Sequence, residues 1–283
     1  MQNLKDKVVL ISGAGSGIGA ALAREAARRG AKVAASDVRR EMAEAVREEV
    51  SRAGGAIIAL ELDVTSADSW RAAADRTERE LGPIDVLCSN AGVGPAMKSV
   101  LDVPMDYLRW IFDVNVFGGV NGVKCVAPRM IERGHGHILF TASVAGFASG
   151  GILADYNASK HALIAICCSL RDEFAGTGVG VSALCPAAVA TGLMNSTVEV
   201  APKAMTQSLL EKREEAASRI AALAGTAGGV MTAEEVAHRG LEGALAGEFY
   251  IFTHADSRDM TMKRATEVGA IFDQLAAGGA TTR

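Results

Sequence analysis

The chain has 283 residues, of which 49% are hydrophobic and 22% are charged, an ordinary globular balance that excludes wholesale disorder. The formal net charge of -4 provides no basic surface for nucleic acid, so nucleic acid is not an expected partner. No apolar run approaches the roughly 20 residues that span a bilayer, and no signal segment precedes the first strand. We therefore expect a cytoplasmic protein that does not bind membranes.

Short apolar runs alternate with helical patterns along the chain. Compact β-favouring runs between turn residues predict strands at 7–13, 31–37, 56–64, 84–92, 136–143, 179–186 and 248–254. Helices are predicted at 17–29, 39–53, 66–80, 104–132 and 154–175. This alternation is typical of βαβ units. It predicts an α/β fold of the Rossmann type, a doubly wound parallel sheet with helices on both faces.

The segment 191–232 interrupts this alternation. It is rich in Ala and Met, is helix-prone around 201–223, and ends in a Gly-rich stretch. Because it follows a strand, it falls on the side where α/β proteins bind ligands, and we favour a mobile helical substrate lid over a purely structural helical pair. We expect one domain over residues 1–283, with this lid inserted at about 191–232 and a frayed tail at 276–283.

The cysteines and histidines give no sign of a metal site. The five cysteines are Cys88, Cys125, Cys167, Cys168 and Cys185. They lack a C-x-x-C spacing, so we expect neither disulfides nor zinc and interpret them as small core residues. His135 and His137 have no acidic or Cys partner nearby in the sequence and are interpreted as surface turn residues.

The strongest single stretch is VVLISGAGSGIGAALAREAARRGA, with Gly13, Gly17 and Gly19 between a predicted strand and a predicted helix. Glycine permits a tight turn there and lets the backbone approach a pyrophosphate at the helix N-terminus. We interpret this loop, which includes Ser16 and Ile18, as a dinucleotide site. The alternative is a Gly-rich turn that binds nothing.

Asp37 ends the next predicted strand, eighteen residues after Gly19. A carboxylate at that position can accept hydrogen bonds from both ribose hydroxyls of an adenosine and would repel a 2′-phosphate, which favours NAD(H) over NADP(H). Arg39 and Arg40 leave the second cofactor open, because a guanidinium can accommodate that phosphate. Asp37 could also simply cap the following helix.

Two further polar residues follow predicted strands on the same side of the sheet. Asp63 could bond an adenine amino group, and Asn90 could brace the adjoining loops. Each residue is weak evidence when taken alone.

Tyr156 and Lys160 in DYNASKHAL stand four residues apart and so share one face of a predicted helix. By itself this spacing favours a solvated surface pair. Ser143, however, ends the strand that precedes this helix, thirteen residues before Tyr156. The three residues together with the glycine loop favour an active site.

With NAG at 90–92 and Asn115 in DVNVFG, these motifs resemble those of the short-chain dehydrogenase/reductase family. The resemblance covers about residues 4 to 255, with 191–232 free to vary. One departure is CPAAVATG, where Ala187 replaces the glycine that the family usually has after Pro186. We expect binding to persist, because alanine tolerates most conformations other than positive φ.

The resemblance implies a role for each of four residues. Tyr156 would be the general acid/base, Lys160 would bond the nicotinamide ribose, and Ser143 would hold the substrate oxygen. Asn115 would position a water molecule that passes the proton onward from Lys160. Since a free tyrosine has a pKa near 10, we expect the Lys160 ammonium to lower the pKa of Tyr156. The remaining cofactor contacts are expected at Val64, Pro186, Val189 and Thr191.

The expected substrate side is mostly apolar. The candidate contacts are Val93, Gly94, Met97, Val144, Ala145, Phe147, Leu153, Met194 and Met205. No cation stands out as a carboxylate or phosphate clamp apart from Lys98 and Lys203, for which we favour a solvated position. We therefore predict an NAD-dependent oxidoreductase acting on a hydrophobic secondary alcohol or ketone. The alternative is a non-catalytic dinucleotide-binding sensor or scaffold. The resemblance also implies homotetramers or dimers built through the helices at 104–132 and 154–175.

Overall fold

The structure is a computed structural model that describes residues 3–210 and 229–278. Its strands are β1 (Val8–Ser12), β2 (Lys32–Asp37), β3 (Ala56–Glu61), β4 (Ile84–Ser89), β5 (Gly136–Thr141), β6 (Val179–Cys185), β7 (Val189–Ala190), β8 (Met231–Thr232) and β9 (Tyr250–Phe252). Seven of them form a parallel sheet in the order β3-β2-β1-β4-β5-β6-β9, and β7 pairs with β8. This confirms the predicted parallel sheet.

Helices cover both faces of this sheet. They are α1 (Gly17–Arg28), α2 (Arg40–Arg52), α3 (Ala67–Leu81), α4 (Met105–Phe112), α5 (Gly118–Arg133), α6 (Ala154–Glu173), α7 (Leu193–Val200), α8 (Lys203–Leu210), α9 (Ala233–Ala246) and α10 (Arg258–Gly278). Val8 and Leu10 of β1 belong to the apolar cluster that includes α3, α5 and α6, whereas Val9 and Ile11 belong to the cluster that includes α1, α2 and α9. Because alternate strand residues point to opposite faces, the sheet separates two cores.

The predicted helix at 104–132 is interrupted. A π-helical turn, Asp113–Phe117, joins α4 to α5, so the path is continuous but widens for one turn. Such widened turns are common at functional sites. This one carries Asn115.

The sequence patterns did not predict the two helices that follow the segment 191–232. α9 begins with a capping box, in which the Thr232 side chain accepts from the Glu235 amide and the Glu235 carboxylate accepts from the Thr232 amide. α10 includes residues 276–278 of the tail that was expected to be frayed, and residues 279–283 lie outside the described part.

α7 and α8 form the described part of the expected lid. The helix-prone pattern at 201–223 is helical over 203–210, and its residues from 211 onward lie outside the described residues. Over 3–210 and 229–278, no helix combines the length and the apolar character needed to cross a membrane.

The interpretation of His137 as a surface turn residue is wrong. His137 lies in β5, is buried, and has Nε2 2.9 Å from the Ser182 hydroxyl oxygen. Burial lowers the pKa of His137 to about 4. His135 is exposed, and the described residues contain no cluster of His, Cys, Asp and Glu that could hold a metal ion. Of the five cysteines, Cys88, Cys167 and Cys185 are buried, as expected of core residues.

Candidate active site

The loop between β1 and α1 can receive an anionic group. Gly13 and Gly17 have φ of +64° and +50°, the left-handed region that favours glycine. A Cβ at Gly13 would lie 2.8 Å from the Ala91 Cα, and one at Gly19 would collide with the Gly13 carbonyl. Ser16 makes no side-chain cap bond and the first turn of α1 has no acidic residue, so the first amides of α1 remain available to an anion.

Asp37 joins the end of β2 to this loop. Its Oδ2 accepts from the Gly15 amide at 3.0 Å, and its Oδ1 accepts from the Arg39 amide at 3.0 Å. A Cβ at Gly15 would lie 2.8 Å from Oδ2, so glycine is required for this approach. A carboxylate has about four acceptor positions, and the side chain can therefore still accept from a ribose hydroxyl.

The Arg39 side chain turns towards α7. Its Nη1 lies 2.6 Å from Oε2 of Glu199, near the end of α7. The side chain of Arg39 is 24% exposed and that of Glu199 is 54% exposed. One of the two guanidinium groups that left NADP(H) open, that of Arg39, is therefore already paired with a carboxylate of the expected lid.

Asn90 braces the ends of three neighbouring strands. Its Nδ2 donates to the carbonyls of Ser12 and Gly13 at 3.0 and 3.2 Å, and its Oδ1 accepts from the Thr141 hydroxyl at 3.0 Å. Asp63 shapes the turn before α3, because its Oδ1 accepts from both the amide and the hydroxyl of Thr65.

Lys160 is buried, which excludes the solvated surface pair. It is 4% exposed, its Nζ donates to the Thr141 carbonyl at 3.0 Å, and Nζ lies 5.6 Å from the centre of the Tyr156 ring. Burial lowers the pKa of Lys160 to about 8. The ammonium therefore remains the main form at neutral pH.

The Tyr156 phenol does not follow the expected direction. Burial raises the pKa of Tyr156 to about 12, and a hydrogen bond from Ser143 opposes that rise. Desolvation of the phenolate is therefore the dominant effect on this pKa in the structure.

Ser143 and Asn115 are also buried. The Ser143 hydroxyl accepts from the Ala145 amide at 3.1 Å. Asn115 accepts from the Val93 amide at 2.8 Å and donates to the Val93 carbonyl at 3.0 Å and the Ser159 hydroxyl at 3.2 Å. It thereby ties the π-helical turn to the loop after β4 and to α6.

Gly92 leaves room beside these groups. A Cβ there would lie 3.2 Å from Asn115 Oδ1 and 3.8 Å from Lys160 Nζ. A side chain at this position would fill the space next to the ammonium. The glycine of the NAG motif therefore keeps Lys160 approachable.

The segment after β6 passes close to the glycine loop. A Cβ at Gly17 would lie 3.4 Å from Thr191 Cβ, and the Pro186 carbonyl accepts from the Val144 amide at 3.0 Å. Val189 pairs with Met231 in the small β7–β8 sheet. Among the described non-glycine residues, positive φ occurs at Asp6, Met97 and Ile152, so Ala187 has a conformation that alanine tolerates.

Several of the expected substrate contacts come together. Val93 and Met205 share an apolar cluster with Tyr156, to which α7 and α8 contribute Val198 and Leu209. A Cβ at Gly94 would lie 2.8 Å from Met194 Sδ, so α7 packs directly on the loop after β4.

The other expected contacts differ in their surroundings. Val144 is buried and Leu153 is half-buried. Phe147 packs its ring against Tyr250 and Phe252, with ring centres 5.4 and 5.5 Å apart. Phe147 therefore also supports the end of β9.

Two polar residues that the sequence patterns did not identify hold the loop after β4. Thr197 of α7 is fully buried, and its hydroxyl accepts from the Gly94 amide at 2.8 Å. Asp155 accepts from the amides of Ala96 and Tyr156, each at 2.8 Å, and burial raises the pKa of Asp155. The loop is thus fixed between the expected lid and the first turn of α6.

A doubly wound parallel sheet, a glycine loop before α1, and a half-buried tyrosine beside a buried lysine on α6 define a Rossmann-type oxidoreductase. The family model for short chain dehydrogenase matches residues 7–202. The chain belongs to the short-chain dehydrogenase/reductase family.

Relatives with assigned names support this membership. The chain is 35% identical to 1-deoxy-11-beta-hydroxypentalenate dehydrogenase of Streptomyces exfoliatus over 259 residues, which cover 90% of this chain and 86% of the relative. It is 37% identical to an uncharacterized oxidoreductase of Myxococcus xanthus over 193 residues, covering 68% and 76% of the two chains.

Solved structures show the same fold. A short chain dehydrogenase/reductase from Burkholderia phymatum, in complex with NAD, superimposes with a TM-score of 0.87 at 32% identity, covering 95% of this chain and 96% of that one. The apo form of LigO from Sphingobium sp. strain SYK-6 gives 0.80 at 28% identity, covering 98% and 92%.

Proposed function

We propose that this protein transfers a hydride between NAD(H) and a hydrophobic secondary alcohol or ketone. The observation that carries the proposal is the buried Lys160 beside Tyr156, with its Nζ 5.6 Å from the centre of the Tyr156 ring and with the buried Ser143 side chain lowering the pKa of the phenol. Hydrogen bonds run from Lys160 through Thr141 and Asn90 to the Gly13 carbonyl, so the pair is tied to the glycine loop.

The cofactor in this proposal is NAD. The residues that would hold it are Gly13, Ser16, Gly17, Ile18, Gly19, Asp37, Asp63, Val64, Asn90, Pro186, Val189 and Thr191, with Tyr156 and Lys160. Two observations favour NAD over NADP: the Asp37 carboxylate at the end of β2, and the pairing of Arg39 with Glu199. The Burkholderia phymatum relative with a bound NAD is consistent with this choice. When bound, the oxidised dinucleotide supplies the hydride acceptor and a positive charge that favours the phenolate.

Each catalytic residue has a proposed role. Tyr156 takes the proton from the substrate hydroxyl during oxidation and returns it during reduction. Lys160 holds its proton at neutral pH, stabilises the phenolate and binds the nicotinamide ribose. Ser143 holds the substrate oxygen. Asn115 fixes the loop after β4 and positions a water molecule in the space that Gly92 leaves beside Lys160.

The proposed substrate contacts are Val93, Val144, Phe147, Leu153 and Met194. Their apolar character, together with the cluster around Tyr156, supports a hydrophobic substrate. α7 and α8 would act as its lid within a single domain, with the cytoplasm as the proposed compartment. The Streptomyces exfoliatus relative is named as a dehydrogenase of a hydroxylated compound, 1-deoxy-11-beta-hydroxypentalenate, which is consistent with an alcohol substrate.

A homotetramer or dimer is part of the proposal. Exposed apolar residues near the start of α4 and α5 support it, with Leu101 90%, Met105 57% and Phe117 54% exposed. The rest of the expected contact surface lies on α6, the next helix along the chain. Sedimentation of the protein as a monomer would remove this part.

The proposed function is tested with a panel of hydrophobic secondary alcohols and ketones, read at the absorbance of reduced nicotinamide with NAD(H) and with NADP(H). We expect turnover with NAD(H) and preference for bulky apolar compounds over small polar ones. The alternative is a dinucleotide-binding sensor, which would bind NAD without turning over any compound of the panel. A preference for NADP(H) would contradict the role given to Asp37.

A further inference from the structure

α10 projects from the body of the protein and leaves a long helical surface without a partner among the described residues. It has 21 residues, and every residue from 262 to 277 is exposed. Its beginning is anchored, because Ser257 is 2% exposed and its carbonyl accepts from the Thr261 hydroxyl at 2.7 Å. The first residues of α10 are therefore held against the body, and residues 262–277, called the stem here, are exposed.

The exposed stem carries an apolar stripe. Ala265, Val268, Phe272 and Leu275 follow one another at spacings of three, four and three residues. This is the spacing that places side chains along one seam between paired helices. Val268, Phe272 and Leu275 are 47%, 66% and 65% exposed. Most of the stability of a helix in a protein comes from packing of its apolar face, so burial of this seam would stabilise the helix.

The charges of α10 indicate what covers the seam. The half from Arg258 to Thr266 has three cations and one anion, whereas the half from Glu267 to Gly278 has two anions and no cation. This distribution opposes the helix dipole, which favours anions near the N-terminus and cations near the C-terminus. An antiparallel copy of the same helix corrects it, because each cationic half then lies beside an anionic half. A membrane surface is less suitable, since the helix lacks the strongly cationic polar face of interfacial helices.

We propose that α10 pairs antiparallel with α10 of a second copy of this chain, about a two-fold axis near Ala270. In this register Val268 of one copy packs on Phe272 of the other, and Ala265 packs on Leu275. The contact is isologous, so it closes as a pair rather than extending into a fibre. The inference does not depend on the proposed catalytic function.

Distances between spin labels test this pairing in the full-length protein. Lys263, Ala270 and Ala277 are seven residues apart on the outer face of the helix, opposite the seam. Each is replaced in turn by a labelled cysteine, in a background in which the half-buried Cys125 and Cys168 are serine. In an antiparallel pair the labels at 270 are closest. Those at 263 and 277 gain an axial separation of about 21 Å, from 14 residues at 1.5 Å each.

Equal distances at all three positions would show a parallel pair and overturn the proposal. The absence of any dipolar coupling between spin labels on two copies would overturn it as well. Phe272→Glu should abolish the short distance at 270. Gln274→Glu, which adds the same charge two residues away and off the seam, should preserve it. An unchanged distance in Phe272→Glu would also overturn the proposal. Because α10 stands away from the body, NAD binding of both variants should match that of the parent protein.

Discussion

The ion pair between Arg39 and Glu199 makes a prediction about cofactor choice. In Glu199→Gln the pair is broken and the Arg39 guanidinium becomes available to a 2′-phosphate. The Nη1–Oε2 distance is 2.6 Å, but the side chains are 24% and 54% exposed, so the pair belongs to the weak, solvent-screened class worth about 0.2–1 kcal/mol. We therefore expect NADPH binding to tighten by up to about fivefold relative to NADH.

The assay is a titration of NADH and NADPH followed by nicotinamide fluorescence, at low and at high salt. Arg39→Gln breaks the same ion pair without releasing a cation, so it should produce no gain for NADPH. Glu80→Gln is a matched control, because it breaks the Arg76–Glu80 pair of similar exposure on α3 and should change neither affinity. An unchanged ratio of the NADH and NADPH affinities in Glu199→Gln would contradict this role of the ion pair, as would an equal shift of that ratio in Arg39→Gln.

Two further predictions concern buried polar groups. Thr197→Val leaves the Gly94 amide without its acceptor, which should cost about 1–3 kcal/mol of folding free energy. The same change should raise the substrate KM more than the NAD Kd. Thr197→Ser should behave like the parent protein in urea unfolding and in kinetics. The pKa of His137 is about 4 in the fold against 6.5 unfolded, so stability should be complete above pH 6.5 and fall by about 3 kcal/mol as pH drops to about 4. Urea unfolding at several pH values should show this loss, and His137→Gln should lack it.

The strands and the glycine loop could be predicted from the sequence because their signals are local. β1 is an unbroken apolar run, and Gly13 and Gly17 occupy the left-handed conformations that such a turn requires. The predicted strand ends differ from the observed ones by a few residues, because hydrogen bonding rather than hydrophobicity defines where a strand stops. Asp37 lies at the end of β2 as predicted.

The contacts that fix the expected lid could not be predicted in this way. Thr197 and Gly94 are 103 residues apart, and Glu199 and Arg39 are 160 apart. Nothing in the local pattern of a short helix shows that one hydroxyl is fully buried and that another side chain reaches Arg39, between β2 and α2. The pKa of Tyr156 was misjudged for a related reason, since its burial depends on the whole fold.

α9 did carry a local signal that was missed. Thr232 and Glu235 have the spacing of a capping box, and the structure uses both hydrogen bonds. Attention to that spacing would have placed the start of the helix.

The central claim is that Tyr156 exchanges the proton with the substrate while Lys160 holds the dinucleotide. It is tested most directly by measuring the NADH Kd and the turnover number of Tyr156→Phe beside the parent protein, with the best compound of the alcohol panel. We expect an NADH Kd within about twofold of the parent and a turnover lower by about 10²–10⁴-fold. Turnover retained at the parent level, with NADH bound equally well, would contradict it.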